Sequence, residues 1–542
     1  MPTHETLSEI KSIKKYNPAT GALLFQFPFA TAQEIQAGLS KAHVAQKAWA
    51  STKLRHRVQV LEKVEQLLRR QADQLIHTLS LEVGKPQAEA LQADLLSALA
   101  GVQHVIGNAS KLNPQLKLSF KSLMLGRVFK EVRVPYGVVS VISPWNYPIG
   151  TPAPGIANAL VAGNAVAFKP SEKTPKSGEL LARVFQDALE ACGFSADLVQ
   201  LFQGDGSVGN ALVQAPETAF VFFTGSEAVG RDIQRACASR NIPCSLELGS
   251  SDAMVILPSA ERYSLDAVVA HAILGRYANA GQTCAAIKKL YVPTSLLPIV
   301  QELLVAKLSQ LRVGDPFDPS THLGPVIDTA QQALLNAQWQ DALEKGITPV
   351  YGQLPQVEEI HEAQASFLAP MLVINPPKDS RIVTEEVFGP ILPVFTYDDL
   401  SQVIDEINAS PYGLGASIFG KPKQAEWLGK QLNVANVAIN DLHMIFYTFP
   451  QVTWRGLKQS GPGLRNGQEG IVQFSQVKTF GKAFLFDWLP FTQKGILLFN
   501  QGDNSLHDSK ALLDTIGKGH WWNFFSPKLF QFLAKNQGNS KL

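Results

Sequence analysis

Cysteine is scarce in this sequence. Only Cys192, Cys237, Cys244 and Cys284 occur in 542 residues, and no two fall in a C-x-x-C spacing. That excludes a disulfide scaffold and a thiolate metal site, and such sparse usage fits a reducing compartment. An excess of one charge is also missing. Lys plus Arg total 48 against 46 for Asp plus Glu, so no net field draws the chain to nucleic acid or an acidic surface. Small, uncharged or mixed-charge substrates fit this balance better. No uninterrupted apolar run reaches the ~18 residues needed to cross a bilayer, and the opening MPTHETLSEIKSIKKYNP lacks the apolar core of a secretory signal. The expectation is a cytoplasmic protein with no membrane span, no metal and no nucleic-acid partner. Internal repeats and low-complexity stretches are absent too, which argues against a solenoid.

What is present is a globular composition, 45% hydrophobic and 17% charged, in a chain too long for one ordinary core. A short strand-like stretch around Tyr16 to Phe29 leads into residues 31–112, which read as successive amphipathic helices. Thr31 suits an N-cap, and Val58, Leu61, Val64, Leu67 and Leu68 recur at helical spacing. From Val132 short apolar strands broken by Gly and Pro alternate with helices: VVSVIS, NAVAFKP, LVQLFQG and AFVFFTG. That alternation predicts an α/β fold with a doubly wound, largely parallel sheet. A second α/β series runs from Leu246 to about Phe446, with strands at AMVIL, KKLYV and PILPVF. Residues 117–136, read as a hairpin-like arm, and the strand IVQFSQVKTF at 471–480 fit neither series.

Two glycine-rich turns compete for a phosphate. Gly204-Asp205-Gly206-Ser207-Val208-Gly209 matches G-x-G-x-x-G, but no acidic residue to bind a ribose is evident about 20 residues on. Phe223-Thr224-Gly225-Ser226-Glu227-Ala228-Val229-Gly230 also ends a strand and opens a helix, and its backbone N–H groups could meet a pyrophosphate. Spacing does not choose between them.

Three residues suggest chemistry in combination. Cys284 ends Asn279-Ala280-Gly281-Gln282-Thr283-Cys284, where Gly281 would let a cofactor or substrate approach a thiol; alone, an inert buried cysteine is the commoner case. Glu247, in Leu246-Glu247-Leu248-Gly249, is flanked by leucines, an apolar setting that would make it a better base. Asn146 sits between prolines in Pro144-Trp145-Asn146-Tyr147-Pro148, a stiff segment whose amide could stabilise an oxyanion, although a turn asparagine is the ordinary reading.

These stretches resemble the aldehyde dehydrogenase superfamily from about Tyr16 to Phe480. The resemblance is carried by PWNYP at 144–148, KPSEKTP at 169–175, FTGSEAVG at 223–230, LELG at 246–249, NAGQTC at 279–284, EEVFGP at 385–390, NASPYGLGASIF at 408–419 and LKQSGPG at 457–463. It implies a Rossmann-type NAD-binding domain (1–116 and 137–245), a catalytic α/β domain (246–453) and a β oligomerisation arm (117–136 and 454–481) that builds a homodimer or homotetramer. It further implies Cys284 as nucleophile, Asn146 and the Cys284 N–H as oxyanion donors, and Glu247 as the base that activates water against a thioester. Gly225 and Ser226 would meet the pyrophosphate of NAD, or of NADP, leaving 204–209 as a decoy. Lys169 and Glu172 resemble the adenine-ribose pair, Glu386 and Phe388 the nicotinamide-side residues, and Trp145 should lie along the cofactor. Glu172 would favour NAD by repelling a 2′-phosphate, an effect that Lys169 and Lys173 would partly offset.

The chain departs from the family pattern at Ser250, where most members carry a second glycine, and at Thr453-Trp454-Arg455-Gly456, where Pro-Phe-Gly-Gly is usual. The segment Ile149 to Gly155 lacks the bulky aromatic and lysine residues that many members place there, which predicts a wide substrate mouth. The expected activity is hydrolytic oxidation of an apolar small-molecule aldehyde, medium- or long-chain or aromatic. Two other readings are an acylating, coenzyme A-dependent enzyme, against which Glu247 argues, and a catalytically silent scaffold, against which the intact triplet argues. Residues 482–542 carry the clusters Ala483-Phe484-Leu485-Phe486-Asp487-Trp488-Leu489 and His520-Trp521-Trp522-Asn523-Phe524-Phe525, each too short to span a bilayer. Packing on the protein is the favoured role of this extension over peripheral membrane contact.

Overall fold

The computed structural model describes residues 11–119, 122, 127–352 and 366–483. The aromatic clusters of the C-terminal extension, apart from Ala483, lie outside the described residues. Those residues divide into two compact units, one formed by the described residues of 11–113 with 133–478 and the other by those of 114–132 with 479–483.

In the first unit a two-stranded hairpin, Ser12–Tyr16 against Leu23–Pro28, precedes the helices. Helix α1 (Ala32–Ala50) begins as its cap predicts. The Thr31 hydroxyl accepts from the Glu34 N–H at 3.2 Å, and the Glu34 carboxylate accepts from the Thr31 N–H at 2.8 Å, a reciprocal capping box. Helices α2 (Leu54–Arg70), α3 (Ala72–Val83) and α4 (Leu96–Asn108) follow. On α2 the apolar stripe Val60, Leu61, Val64 and Leu68 is buried, while Val58 and Leu67 are only partly so. Between α3 and α4 the chain widens into a π-helical turn at Ala90–Leu95.

The first sheet has strands β1 (Val138–Ile142), β2 (Ala165–Lys169), β3 (Val199–Leu201), β4 (Thr218–Thr224) and β5 (Cys244–Glu247). They are all parallel, in the order β3-β2-β1-β4-β5. Both faces of β1 and β2 are buried, which is why VVSVI and AVAFK read as unbroken apolar runs. Crossover helices return the chain between strands, among them α5 (Pro152–Ala162), α6 (Pro175–Ala191), α7 (Gly206–Gln214) and α8 (Glu227–Ser239). In such a sheet the carboxyl ends of the strands collect on one side, where ligands bind. Here that side presents the PWNYP segment after β1, Lys169 on β2, Gly225-Ser226 after β4 and Glu247 on β5. The register sets Thr224 directly beside Glu247.

The second sheet has seven strands: β6 (Asp252–Ile256), β7 (Ile287–Pro293), β8 (Pro349–Tyr351), β9 (Met371–Ile374), β10 (Ile391–Tyr397), β11 (Gly415–Phe419) and β12 (Asn436–Ile439). Their order is β8-β9-β10-β7-β6-β11-β12, with only β8 antiparallel to its neighbour. The boundary drawn at 245/246 falls inside β5, because Leu246 and Glu247 complete the first sheet.

The arm strands Gln115–Lys117, Arg127–Pro135 and Ser475–Ala483 form a three-stranded sheet with Arg127–Pro135 in the middle. The expected strand over 471–480 begins later than its sequence suggested. Ile471 and Val472 end a helix, Gly467–Val472, and Ile471 and Phe474 are buried in the main core. Residues 454–474, expected in the arm, likewise belong to the first unit: Trp454–Arg455 pairs with Leu464–Arg465 close to Glu247. Among the described residues no helix is long and apolar enough to cross a membrane, and no cluster of His, Cys, Asp or Glu is arranged to hold a metal.

Candidate active site

The PWNYP segment is fixed from below by a buried ion pair. Lys85 Nζ lies 3.0 Å from Asp94 and donates to the Asn146 carbonyl at 2.8 Å, while Asp94 accepts the Ile149 and Gly150 N–H groups. Both charges are fully buried, so the surrounding hydrogen bonds are what make the pair tolerable. Asp94 stands on the π-helical turn, a distortion often found near functional sites.

Cys284 is delivered by an unusual loop. Asn279, Ala280 and Gly281 all adopt left-handed backbone, with φ of 52°, 52° and 76°. For Asn279 and Ala280 this stores strain that surrounding contacts must hold. The Asn279 amide donates to the Asn146 carbonyl at 3.1 Å, and the Asn279 N–H to Glu89. Burial pushes the Glu89 carboxyl up to about 6. Gly281 differs from its expected role: its missing side chain makes room for the Gly389 carbonyl, which a Cβ there would overlap.

Around a cavity of about 350 Å³ the structure gathers Trp145, Asn146, Gly225, Ser226, Glu247, Cys284, Glu386 and Phe388. The Cys284 thiol points at Glu247 Oε1 across 3.6 Å. Burial first, and then Glu247, push that thiol well above its ordinary value. The Asn146 amide donates one N–H to the Gln282 carbonyl at 3.0 Å, and an amide nitrogen carries a second. Glu247 does not meet the apolar surroundings that its leucines suggested. Trp454 Nε1–H donates to Oε1 at 3.1 Å, and Arg465 Nε lies 3.6 Å from Oε2.

Glu386 is held by the Ser250 N–H at 2.9 Å and by Lys288 Nζ at 3.4 Å, and burial pushes its carboxyl up. Gly249 permits this, because a Cβ there would stand 2.6 Å from Glu386 Oε2. Ser250 needs no glycine: it is not among the positive-φ residues, and its hydroxyl bonds the Cys284 carbonyl and Lys288 Nζ. Trp145 meets Phe388 edge-on with ring centroids 5.4 Å apart.

Lys169 and Glu172 lie outside the cavity lining, at the end of β2, paired at 3.4 Å. The turn at 204–209 is also absent from that lining; Asp205 there caps α7 through the Ser207 N–H. Sequence reasoning missed Lys288, Arg465, Tyr447 and the role of Trp454. The one available signal for Lys288 was a lysine inside the strand run IKKLYV.

The chain matches the aldehyde dehydrogenase family over residues 6–480. It belongs to the aldehyde dehydrogenase family. A 4,4'-diapolycopene aldehyde oxidase from Methylomonas sp is 32% identical over 86% of this chain and 84% of its own length. A probable succinate-semialdehyde dehydrogenase [NADP(+)] from Sinorhizobium fredii is 30% identical over 85% of this chain and 91% of its own. The solved aldehyde dehydrogenase of Mycobacterium tuberculosis complexed with NAD+ superposes with a TM-score of 0.79 at 28% identity, over 87% of this chain and 95% of that one. As a family member the protein is an NAD(P)-dependent aldehyde dehydrogenase with the α/β fold expected of it.

The residues present fit such a dinucleotide. Ser226 opens α8 without a capping bond from its own side chain, so its hydroxyl and the first N–H groups of the helix are available to a pyrophosphate. Thr224, Gly225 and Ser226 line the same cavity as Glu386 and Phe388.

Proposed function

We propose that this aldehyde dehydrogenase oxidises an uncharged, apolar aldehyde to its carboxylic acid through a covalent thioester on Cys284. The observation that carries the reading is the 3.6 Å contact between the Cys284 thiol and Glu247 Oε1, in a cavity that also holds the Asn146 amide. Cys284 attacks the carbonyl carbon as its thiolate, its proton passing to solvent, and Glu247 stands beside the sulfur on which the acyl group then forms. The second Asn146 N–H and the Cys284 N–H would stabilise the oxyanion. When bound, the nicotinamide cofactor supplies the two-electron acceptor. Glu386, fixed by Ser250 and Lys288, and Phe388 would hold its nicotinamide end, Gly225 and Ser226 its pyrophosphate, Trp145 its length, and Lys169 with Glu172 its adenine ribose. Glu247 then takes a proton from water, which attacks the thioester and releases the acid.

The lining supports an apolar substrate. No lysine or arginine occurs among the described residues of the cavity, so nothing cationic there would pair with a substrate carboxylate. Met444, Tyr447 and Trp454 add apolar surface, and Gly150 and Thr151 line the cavity with Asn146. The Methylomonas relative's name points the same way. Residues 117–136 with 475–481 are proposed as the arm of a homodimer or homotetramer, and the compartment as the cytoplasm.

A panel of aldehydes graded in length and charge tests the substrate class. Higher kcat/KM for long apolar aldehydes than for carboxylate-bearing ones, with free acid formed in the absence of coenzyme A, is expected. A preference for succinate semialdehyde, or a requirement for coenzyme A, would contradict the reading.

A further inference from the structure

Glu247 is held at one oxygen by a hydrogen bond and at the other by an ion pair. Oε1 takes the Trp454 N–H at 3.1 Å while facing the Cys284 thiol at 3.6 Å, and Oε2 faces Arg465 Nε at 3.6 Å. Each partner is itself immobilised. The Trp454 ring lies within 5° of parallel to His443, with centroids 6.4 Å apart, and Tyr447 meets it edge-on at 5.7 Å. His443 is fixed in turn by Asp252 at 2.7 Å and Ser417 at 3.0 Å. Arg465 directs Nη1 to the Ser245 hydroxyl at 2.8 Å and Nη2 to the Phe223 carbonyl at 2.7 Å and the Thr224 hydroxyl at 3.1 Å. Its guanidinium also packs on the Phe222 ring at 3.6 Å. With both Nη groups committed to β4 and β5, Nε is the group left facing Glu247.

A carboxylate on a strand end turns about its own torsions unless something holds it. One with a fixed partner on each oxygen leaves that orientation only by giving up both, and in a buried site each loss is costly. The other titratable groups facing Glu247 are the Cys284 thiol and the Tyr447 phenol, both kept in their neutral forms by burial. Arg465 therefore supplies the positive charge.

We propose that Trp454 and Arg465 are positioning residues that clamp the Glu247 carboxylate against the Cys284 thiol. The inference rests on Glu247 being the base. Because Arg465 also binds Thr224, the clamp ties the base to the turn that opens α8, so the base and the pyrophosphate turn share one anchor.

Trp454→Phe tests it, since an aromatic ring remains beside His443 and Tyr447 while the N–H is lost. With propionaldehyde and saturating NAD, the variant is expected to lose about tenfold to a hundredfold in steady-state kcat, the worth of one hydrogen bond to a charged group. It should keep a full burst of reduced cofactor and wild-type affinity for NAD, with a melting temperature only a few degrees lower for the smaller ring. Arg465→Met, which also gives up the bonds to Ser245, Phe223 and Thr224, should lower kcat together with the melting temperature and the affinity for NAD, and Arg465→Lys should recover part of the turnover. Wild-type kcat in Trp454→Phe, or a burst that falls together with kcat and melting temperature, would overturn the clamp. Glu247→Gln separates the two readings. Sustained turnover in that variant removes Glu247 as the base, whereas a stalled Glu247→Gln beside an undiminished Trp454→Phe removes the clamp alone.

Discussion

Thiol chemistry at Cys284 has to begin from the protonated form. Burial and the adjacent Glu247 both disfavour the thiolate, and Lys288, which works the other way, is committed to the Cys284 and Thr283 carbonyls. The thiolate fraction of the cofactor-free enzyme therefore grows only above the ordinary thiol value of 9.0. Alkylation of Cys284 by iodoacetamide, followed by peptide mass, should keep accelerating beyond pH 9; a rate that levels off near neutral pH would show a thiolate already formed. The same arrangement makes Cys284→Ala a specific lesion. Oxidation should vanish while NAD still binds with close to wild-type affinity by calorimetry, because the groups fitted to the dinucleotide are elsewhere in the cavity.

At the scale of elements, strand ends and turns were legible in the sequence and long-range partners were not. Unbroken apolar runs ending in Lys169-Pro170 and Thr224-Gly225 marked buried parallel strands, since parallel sheets are covered on both faces. The Thr31 to Glu34 box was readable because its partners are three residues apart. Trp454 and Glu247 are 207 residues apart, and Arg465 and the Phe223 carbonyl 242, so no local pattern announces them. The leucines beside Glu247 misled for the same reason: neighbours in sequence on a strand point to opposite faces, and what surrounds a side chain comes from other elements. Gly281 was correctly singled out but for the wrong neighbour. Its positive φ and the Gly389 carbonyl predict that Gly281→Ala costs about 2–4 kcal/mol and lowers the melting temperature by several degrees. A variant melting with the wild type would show that the loop is not held as described.

For the whole molecule, the arm carries exposed apolar side chains at Leu116 (58%), Phe129 (36%) and Phe480 (50%) on its sheet. A second copy of the chain is the proposed cover, as the family's arms imply. Phe129→Glu should then shift the sedimenting species toward monomer, and an unchanged oligomer would remove the arm from the interface. Cofactor choice turns on a single corner of the molecule. Glu172 neutralises Lys169, and Asp328 pairs with Lys173 at 2.8 Å, so the two lysines that could have welcomed a 2′-phosphate are both engaged. Higher kcat/KM with NAD than with NADP is expected, and equal or better efficiency with NADP would refute that argument.

The proposed chemistry turns on a covalent acyl-enzyme on Cys284 whose hydrolysis depends on Glu247. Glu247→Gln, mixed with NAD and an excess of a long-chain aldehyde, should release one equivalent of reduced cofactor and stop. Mass spectrometry of the quenched protein should then find the acyl mass on the peptide that contains Cys284. Steady turnover, or an acyl group on any other residue, would contradict the account.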